Sequence, residues 1–407
     1  MSKNNLEESS KGLLSNYQLG RFKLSHRIVL APMTRCRALD HLPQAAHIEF
    51  YSQRATKGGF LITEGVGIAD NAFGFPHCPG IYTEEQVEAW KPVSKAVHDK
   101  GGVIFCQLWH VGRASHTCKK LLLFFCYQAD EMAPVSATGR KISDHWTILM
   151  PDASKATFSW PRVLNAKEIE LIIEQFRRSA RNAIEAGFDG VEIHGAHGYL
   201  VDQFLKDSIN DRTDEYGGPV HNRCRFLFRI IAAITEEIGG DRVGVRISPL
   251  INHLDATDSD PLSLALYIIQ QLNNLPAPGL CYLHLTCPRF TAGGDVEDKE
   301  EYANYHSCIR KAFRGTLISS GGYSRDSGMA AIVNGEADLV SYGRLFLSNP
   351  DLPLRFATAG LHFIPTTLLW GILIIHFSIN RIKTYNGSSS YLPKFICPTV
   401  VRVWLGK

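Results

Sequence analysis

Residues 166–199, AKEIELIIEQFRRSARNAIEAGFDGVEIHGAHGY, join a helical pattern to a strand pattern and so indicate how the whole chain folds. The first part carries apolar residues at helical spacing, namely Ile169, Ile172, Ile173 and Phe176. Gly187 follows, where the C-terminus of a helix favours glycine. The next run is largely apolar, as expected for a strand buried on both faces of a parallel sheet. The stretch therefore predicts an α/β unit.

The same alternation of short β-branched runs with longer helical segments recurs along the chain. Eight such runs are present: RIVLAPM (27–33), GGFLITEG (58–65), GGVIFCQLW (101–109), GFDGVEIHGAHGY (187–199), RVGVRIS (242–248), LCYLHLT (280–286), GTLISSGG (315–322) and ADLVSYGRLF (337–346). Eight strands with intervening helices predict a single α/β domain, a (β/α)8 TIM barrel over residues 1–356. In such barrels the reactive residues collect where strands end and βα loops begin.

The composition and charge of the chain indicate which kind of ligand it binds. The chain has 407 residues, of which 45% are hydrophobic and 20% charged, and a formal net charge of +3. No long run of one sign resembles the basic stripe of nucleic-acid-binding proteins, so a small-molecule partner is expected. The ten cysteines form no CxxC pair and no secretory leader is visible, which predicts reduced thiols and a cytoplasmic location.

Two segments depart from the barrel pattern. The loop 117–131 contains the apolar run KKLLLFFCY, where a surface loop is expected. After Phe356 the alternation stops, and we expect the apolar tail 357–407 to lie outside the barrel. Its stretch 361–379 is long enough to raise the question of a membrane anchor, but two histidines and a proline interrupt it, so no membrane partner is predicted.

The most informative chemical pattern is EIHGAHGY, which places His194, His197 and Tyr199 within one loop after a strand. A zinc site would need a third ligand, so no metal is predicted, and either histidine alone is compatible with an ordinary core position. Together, two imidazoles can donate hydrogen bonds to one carbonyl oxygen and so polarise a conjugated alkene. Tyr199 can then supply a proton to the carbon that becomes enolate-like.

Such a reduction needs a hydride, which no side chain can donate, so a cofactor is required. No GxGxxG follows the first strand, which argues against a Rossmann dinucleotide domain. Gly321 and Gly322 end the seventh run, and Gly343 with Arg344 lies near the end of the eighth. Barrels commonly bind a phosphate at this position, and the pattern predicts a phosphate anchor.

Eight motifs in order resemble the old yellow enzyme family, and the similarity is greatest to the plant 12-oxophytodienoate reductases. They are APMTRCR (31–37), LITEG (61–65), QLWHVGRASH (107–116), EIHGAHGYL (192–200), NDRTDEYGG (210–218), RISP (246–249), SYGRLF (341–346) and SNPDLP (348–353). The resemblance covers roughly residues 11–356. A histidine at position 197, where many members have asparagine, fits the plant branch.

The resemblance implies an FMN-dependent ene-reductase that takes hydride from NADPH and reduces the C=C bond of an α,β-unsaturated carbonyl compound. For the plant branch the implied substrate is 12-oxophytodienoate or a related oxylipin of jasmonate biosynthesis. The implied FMN-binding residues are Pro32, Met33, Thr34, Gly65, Gln107, Arg246, Gly321, Gly343 and Arg344. His194 and His197 would bind the substrate oxygen, Tyr199 would be the proton donor, and Arg289 would contact substrate.

Two alternatives remain beside this interpretation. A dienoyl-CoA reductase would need a cysteine cluster for an iron–sulfur centre and a second nucleotide domain, and the sequence has neither. A catalytically silent or unstable barrel, caused by the altered C-terminal segment, stays open. Some jasmonate-pathway relatives end in a peroxisomal tripeptide, whereas this sequence ends in Leu-Gly-Lys, so a peroxisomal address is not expected.

Overall fold

The structure, a computed structural model, describes residues 12–117, 127–128, 132–288, 290–291, 294–295 and 300–358. Its centre is a closed barrel of eight parallel strands, which confirms the predicted (β/α)8 fold. The strands are β1 (Ile28–Leu30), β2 (Phe60–Gly67), β3 (Val103–Trp109), β4 (Gly190–Gly195), β5 (Val243–Ile247), β6 (Tyr282–Thr286), β7 (Leu317–Ser320) and β8 (Leu339–Tyr342). Each strand pairs with its neighbours in chain order, and β8 pairs with β1 to close the barrel.

Helices surround the barrel. The longer ones are α1 (Ala45–Arg54), α2 (Glu84–His98), α3 (Ala166–Glu185), α4 (Val220–Ile238), α5 (Pro261–Asn273), α6 (Glu300–Ala312) and α7 (Arg325–Val333). Short helices span Leu200–Leu205, Arg344–Ser348 and Leu352–Ala357, and 3-10 turns span Leu39–His41 and Gly240–Arg242. Short two-stranded pairs lie outside the barrel: Tyr17–Leu19 with Phe22–Leu24, Val135–Ser136 with Arg162–Val163, Ile148–Leu149 with Lys155–Ala156, and Phe290–Thr291 with Gly294–Asp295.

Local sequence explains where these helices begin and end. Helix α3 starts at a capping box, in which Asn165 and Glu168 satisfy each other's backbone N–H groups. It is followed by Gly187 with φ of +86°, a conformation that side chains other than glycine rarely adopt. The predicted apolar face of α3 is buried against the barrel. Burial of that face, rather than helix propensity alone, stabilises such a helix.

The barrel interior changes character along its axis. At the N-terminal end of the strands, Phe60, Phe105 and Tyr282 pack edge to face, with the hairpin residues Leu19 and Leu24 in the same apolar cluster. Polar side chains occupy the interior nearer the C-terminal strand ends, as described below. The barrel interior is therefore apolar at the N-terminal ends of the strands and polar nearer their C-terminal ends.

The two atypical segments lie largely outside the described residues. In the loop 117–131, the Tyr127 side chain is buried and its hydroxyl donates to the Leu149 carbonyl, while Gln128 Nε2 donates to Ser115 Oγ at 2.9 Å. The predicted tail 357–407 lies outside the described residues, apart from Ala357 and Thr358. Across the part of the chain that the structure describes, no helix is long and apolar enough to cross a membrane.

Candidate active site

The predicted site residues lie at the C-terminal ends of the barrel strands, on the face where barrels bind ligands. Their positions are the loop after β1 (Pro32, Met33, Thr34), the strands β2 to β5 (Gly65, Gln107, His194, Arg246), the loop after β4 (His197, Tyr199) and the segments after β7 and β8 (Gly321, Gly343, Arg344). Arg289 lies outside the described residues.

Strand register brings several of these residues side by side. Gln107 on β3 is paired with Gly65 on β2 and, on its other side, with Glu192 on β4. His194 on β4 is paired with Arg246 on β5. At the barrel closure, a side-chain carbon added at Gly343 would lie 3.3 Å from Met33 Sδ, so the loops after β1 and β8 are in contact. These pairings place Gly65, Gln107, His194 and Arg246 on the four successive strands β2 to β5, and the Gly343–Met33 contact lies at the barrel closure.

Gly65 has a packing reason that the sequence did not reveal. A side-chain carbon at this position would lie 2.6 Å from the Trp109 ring, and β2 is irregular between Ile62 and Gly65. Contacts that close are not tolerated, so Trp109 alone requires glycine here. Gly65 is paired with Gln107 on the neighbouring strand.

His194, His197 and Tyr199 form one cluster. The ring centroids of the two histidines are 5.7 Å apart with planes at 83°, and those of His194 and Tyr199 are 5.2 Å apart at 88°. Trp109 stacks beside His194 and contacts the Tyr199 ring edge to face at 4.9 Å. His197 has a φ of +58°, and its backbone N–H donates to Ser248 Oγ at 2.8 Å, which holds this unusual backbone in place.

The two imidazoles are neutral. Burial, with the nearby Arg246 charge, lowers the pKa of His194 to about 3 and that of His197 well below its usual range. His194 Nδ1 accepts the Ala196 N–H at 3.3 Å, which in a neutral imidazole places the proton on Nε2. His194 therefore presents an N–H donor to a ligand, without a positive charge.

Buried neutral histidines predict an acid-sensitive fold. Burial lowers the pKa of His26, His47 and His253 to about 4, and that of His110 and His194 to about 3. Between these values and the unfolded value of about 6.5, the unfolded chain binds protons that the folded chain does not. We therefore expect the free energy of unfolding to fall as the pH drops below about 6.5, by up to about 1.4 kcal/mol per pH unit for each histidine.

Urea unfolding followed by tryptophan fluorescence at pH 5.0 to 8.0 measures this dependence. Asp202 has a smaller and opposite effect on the free energy of unfolding as the pH falls, because burial raises the pKa of this carboxyl to about 6. The exposed His145 provides a control, since its replacement by alanine should leave the slope unchanged. A free energy of unfolding that stays flat between pH 5 and 7 would contradict the prediction.

The phenol of Tyr199 is protonated at neutral pH. Burial raises the pKa of Tyr199 above its usual value, and the thiols of Cys36 and Cys78 add to this shift. Tyr199 precedes the short helix Leu200–Leu205, and its backbone carbonyl accepts the Gln203 N–H at 2.8 Å. The hydroxyl therefore keeps its proton at neutral pH.

Arg246 carries a buried positive charge inside the barrel. Its side chain is buried, and Nε donates to Thr286 Oγ1 at 3.2 Å. Among the described residues, neither of its terminal amino groups has a hydrogen-bond partner. Buried donors are normally paired, so this guanidinium suits a ligand that brings acceptor atoms or negative charge into the barrel mouth.

The segments after β7 and β8 leave backbone accessible. Gly321 has a φ of +119°, and a side-chain carbon there would lie 2.4 Å from the Cys287 carbonyl oxygen. Gly343 precedes the short helix that starts at Arg344, whose side chain is partly exposed. These positions have the small size and positive charge that a phosphate group needs.

Sequence reasoning missed two buried networks. In one, Glu64 within β2 accepts Arg35 Nη2 at 2.7 Å and the Tyr51 hydroxyl at 3.3 Å, which holds the loop that follows Thr34. Although burial raises the pKa of Glu64, Arg35 and His47 together lower it below its usual value and keep the carboxyl ionised. The other network joins Glu192 to Gln107 and His284. Polar residues inside otherwise apolar strands, as in VEIH and YLHLT, were the available signal.

The chain is similar to known proteins over most of its length. Residues 13–361 match the model of a family described as the NADH:flavin oxidoreductase / NADH oxidase family. 12-Oxophytodienoate reductase 7 of Oryza sativa subsp. japonica is 55% identical over 358 residues, which cover 86% of this chain and 89% of that protein. 12-Oxophytodienoate reductase 2 of Arabidopsis thaliana is 49% identical over 351 residues, with coverages of 86% and 89%.

Solved structures show the same architecture. Morphinone reductase superimposes with a TM-score of 0.80 at 37% identity, covering 88% of this chain and 92% of that one. An old yellow enzyme homologue from Zymomonas mobilis gives a TM-score of 0.76 at 35% identity, with coverages of 86% and 93%.

Proposed function

The chain belongs to the NADH:flavin oxidoreductase / NADH oxidase family, the old yellow enzyme family of FMN-dependent oxidoreductases, and from this premise we propose that it is an ene-reductase of the 12-oxophytodienoate type. Its substrate would be an α,β-unsaturated carbonyl compound, most specifically 12-oxophytodienoate or a related oxylipin of jasmonate biosynthesis. The observation that carries the proposal is the cluster of two neutral imidazole donors and one protonated phenol beside the buried Arg246.

The residues at the C-terminal ends of the barrel strands suit FMN. The terminal amino groups of Arg246, which have no hydrogen-bond partner among the described residues, would meet the N1 and C2 carbonyl edge of the isoalloxazine ring. Gln107, which is paired with Gly65 on the neighbouring strand, would hold the pyrimidine edge, and Pro32, Met33 and Thr34 would line the ring. The phosphate would bind at Gly321, Gly343 and Arg344.

Bound FMN would take a hydride from a reduced nicotinamide, for which we propose NADPH, and deliver it to the β-carbon of the enone. His194 and His197 hold the carbonyl oxygen and stabilise the negative charge that develops there. Tyr199 donates its proton to the α-carbon, and its raised pKa means that the proton is present at neutral pH. We propose that Arg289 contacts substrate.

The proposal extends to the organisation of the chain. Phe356 is buried and packs against Tyr342 at 5.1 Å, and Arg325 Nε donates to its carbonyl at 3.0 Å. We therefore propose residues 1–356 as the functional barrel and 357–407 as an appended segment.

The first experiment identifies the cofactor. We expect the purified protein to be yellow and to release FMN rather than FAD, because the predicted anchor accommodates one phosphate. Reverse-phase chromatography of the released cofactor distinguishes the two. Release of FAD alone would overturn the FMN proposal, and a colourless protein that takes up no FMN would support a silent barrel.

A second arm of the same experiment tests the nicotinamide and the substrate. Anaerobic bleaching of the flavin by NADPH is compared with bleaching by NADH, and 12-oxophytodienoate is then added to the reduced protein. Faster reduction by NADH would contradict the proposed donor. Failure of 12-oxophytodienoate to restore the oxidised spectrum, when a simple cyclic enone does restore it, would contradict the proposed substrate alone.

A further inference from the structure

Glu192 lies at the centre of a hydrogen-bonded chain inside the barrel. Its Oε1 accepts Gln107 Nε2 at 2.7 Å, and its Oε2 lies 2.8 Å from His284 Nδ1. His284 Nε2 is in turn 2.9 Å from Ser341 Oγ. All four side chains are buried, and together they connect strands β3, β4, β6 and β8.

The carboxylate fixes the direction of every bond in this chain. Burial raises the pKa of Glu192, but His284, Arg246 and Gln107 together bring it below its usual range, so Glu192 is ionised. An ionised carboxylate only accepts hydrogen bonds, so Gln107 must turn its NH2 group towards Glu192. The Gln107 carbonyl oxygen is then left as the acceptor on the other side of the amide. His284, which burial keeps neutral, donates from Nδ1 and accepts the Ser341 hydroxyl at Nε2.

Glu192 also balances the charge of Arg246. Arg246 occupies the strand next to Glu192, and burial lowers its pKa while the Glu192 charge opposes that shift. A charge inside a barrel is costly unless an opposite charge accompanies it. Glu192 is therefore both the partner of Gln107 and the counter-charge of Arg246.

We propose that Glu192 is a positioning residue for the flavin, which fixes the Gln107 carbonyl as an acceptor for the ring imide and limits how strongly Arg246 favours the reduced cofactor. The inference rests on the proposed FMN function. In this role Glu192 acts on the cofactor through Gln107 and Arg246.

Two substitutions separate the two roles. Glu192→Gln keeps the size and removes the charge, whereas Glu192→Asp keeps the charge and shortens the reach towards Gln107. We measure the dissociation constant of FMN by fluorescence titration and the midpoint potential by equilibration with reference dyes. Neither readout depends on turnover.

The expected results differ between the variants. In Glu192→Gln the midpoint potential should become more positive, because the negative charge of the reduced flavin meets an uncompensated Arg246. In Glu192→Asp the potential should stay near that of the parent, while FMN binds about tenfold more weakly because one hydrogen bond is lost. Glu192→Gln should also bind FMN more weakly, since Gln107 can then turn its amide.

Asp258→Asn is the matched control. Asp258 is a buried carboxylate paired with Arg223 at 2.6 Å, on the segment that leads into α5. If Glu192 had only a structural role, Glu192→Gln and Glu192→Asp would each lower the melting temperature of the protein and leave the midpoint potential of the flavin unchanged.

The outcomes are distinguishable from failure of the proposed function. A parent protein that binds no FMN would refute the function itself. A parent that binds FMN, with both Glu192 variants matching its affinity and potential, would overturn the positioning role. If Glu192→Gln does not fold, Glu192→Asp decides, because parent-like FMN affinity in that variant would also overturn the proposal.

Discussion

Replacing Tyr199 by phenylalanine should slow the reoxidation of reduced flavin by an enone by about 10² to 10⁴, the usual contribution of a positioned general acid. The substitution removes only the hydroxyl, so the ring contacts with Trp109 and His194 remain. Reduction of the flavin by NADPH should be almost unchanged, because that step requires no proton from the phenol. Stopped-flow absorbance at the flavin band measures both half-reactions separately.

Tyr305→Phe controls for the loss of a buried hydroxyl. Tyr305 is about as buried as Tyr199, and its hydroxyl donates to the Pro261 carbonyl at 2.7 Å, on the outer helical layer. This variant should reduce enones at the parent rate. Equal rates in Tyr199→Phe and the parent would mean that another group or solvent supplies the proton.

The fold could be predicted because each strand can be recognised from the residues of its own segment. A strand buried on both faces must be apolar, and eight such runs alternate with amphipathic helices whose ends carry caps or glycines. Gly187 illustrates the point, since its positive φ follows from its place after α3. Eight such strands with intervening helices close most naturally into a barrel.

The buried networks could not be predicted in the same way, because they depend on distances across the barrel. Glu192 and His284 are separated by 92 residues, yet their side chains hydrogen-bond. A polar residue within an apolar strand is a visible signal, but the sequence does not name its partner. Gly65 is a related case. The sequence indicates that no side chain fits at this position, but only the structure shows that the Trp109 ring excludes it.

The structure relates the predicted residues pair by pair at the strand ends. His194 and Arg246 are paired across β4 and β5, Tyr199 packs edge to face against His194, and Gln107 is paired with Glu192 on β4.

Replacing either His194 or His197 by alanine should lower the rate of enone reduction by about 10² to 10³, since loss of one donor to a developing oxyanion usually has this effect. Both variants should also bind a phenol, which mimics the enolate oxygen, more weakly. Because the imidazoles are neutral through burial, the rate should not follow a histidine titration between pH 6 and 8. Flavin reduction by NADPH should change much less.

His26→Ala is the appropriate control for these variants. His26 is also buried, its Nδ1 accepts the Ile28 N–H at 3.3 Å as His194 Nδ1 accepts that of Ala196, and it lies before β1 at the opposite end of the barrel. It should lose stability and keep its enone rate. If the three alanine variants lose stability alike and all reduce enones at the parent rate, His194 and His197 are core histidines, and the carbonyl oxygen must be held by other donors at the barrel mouth.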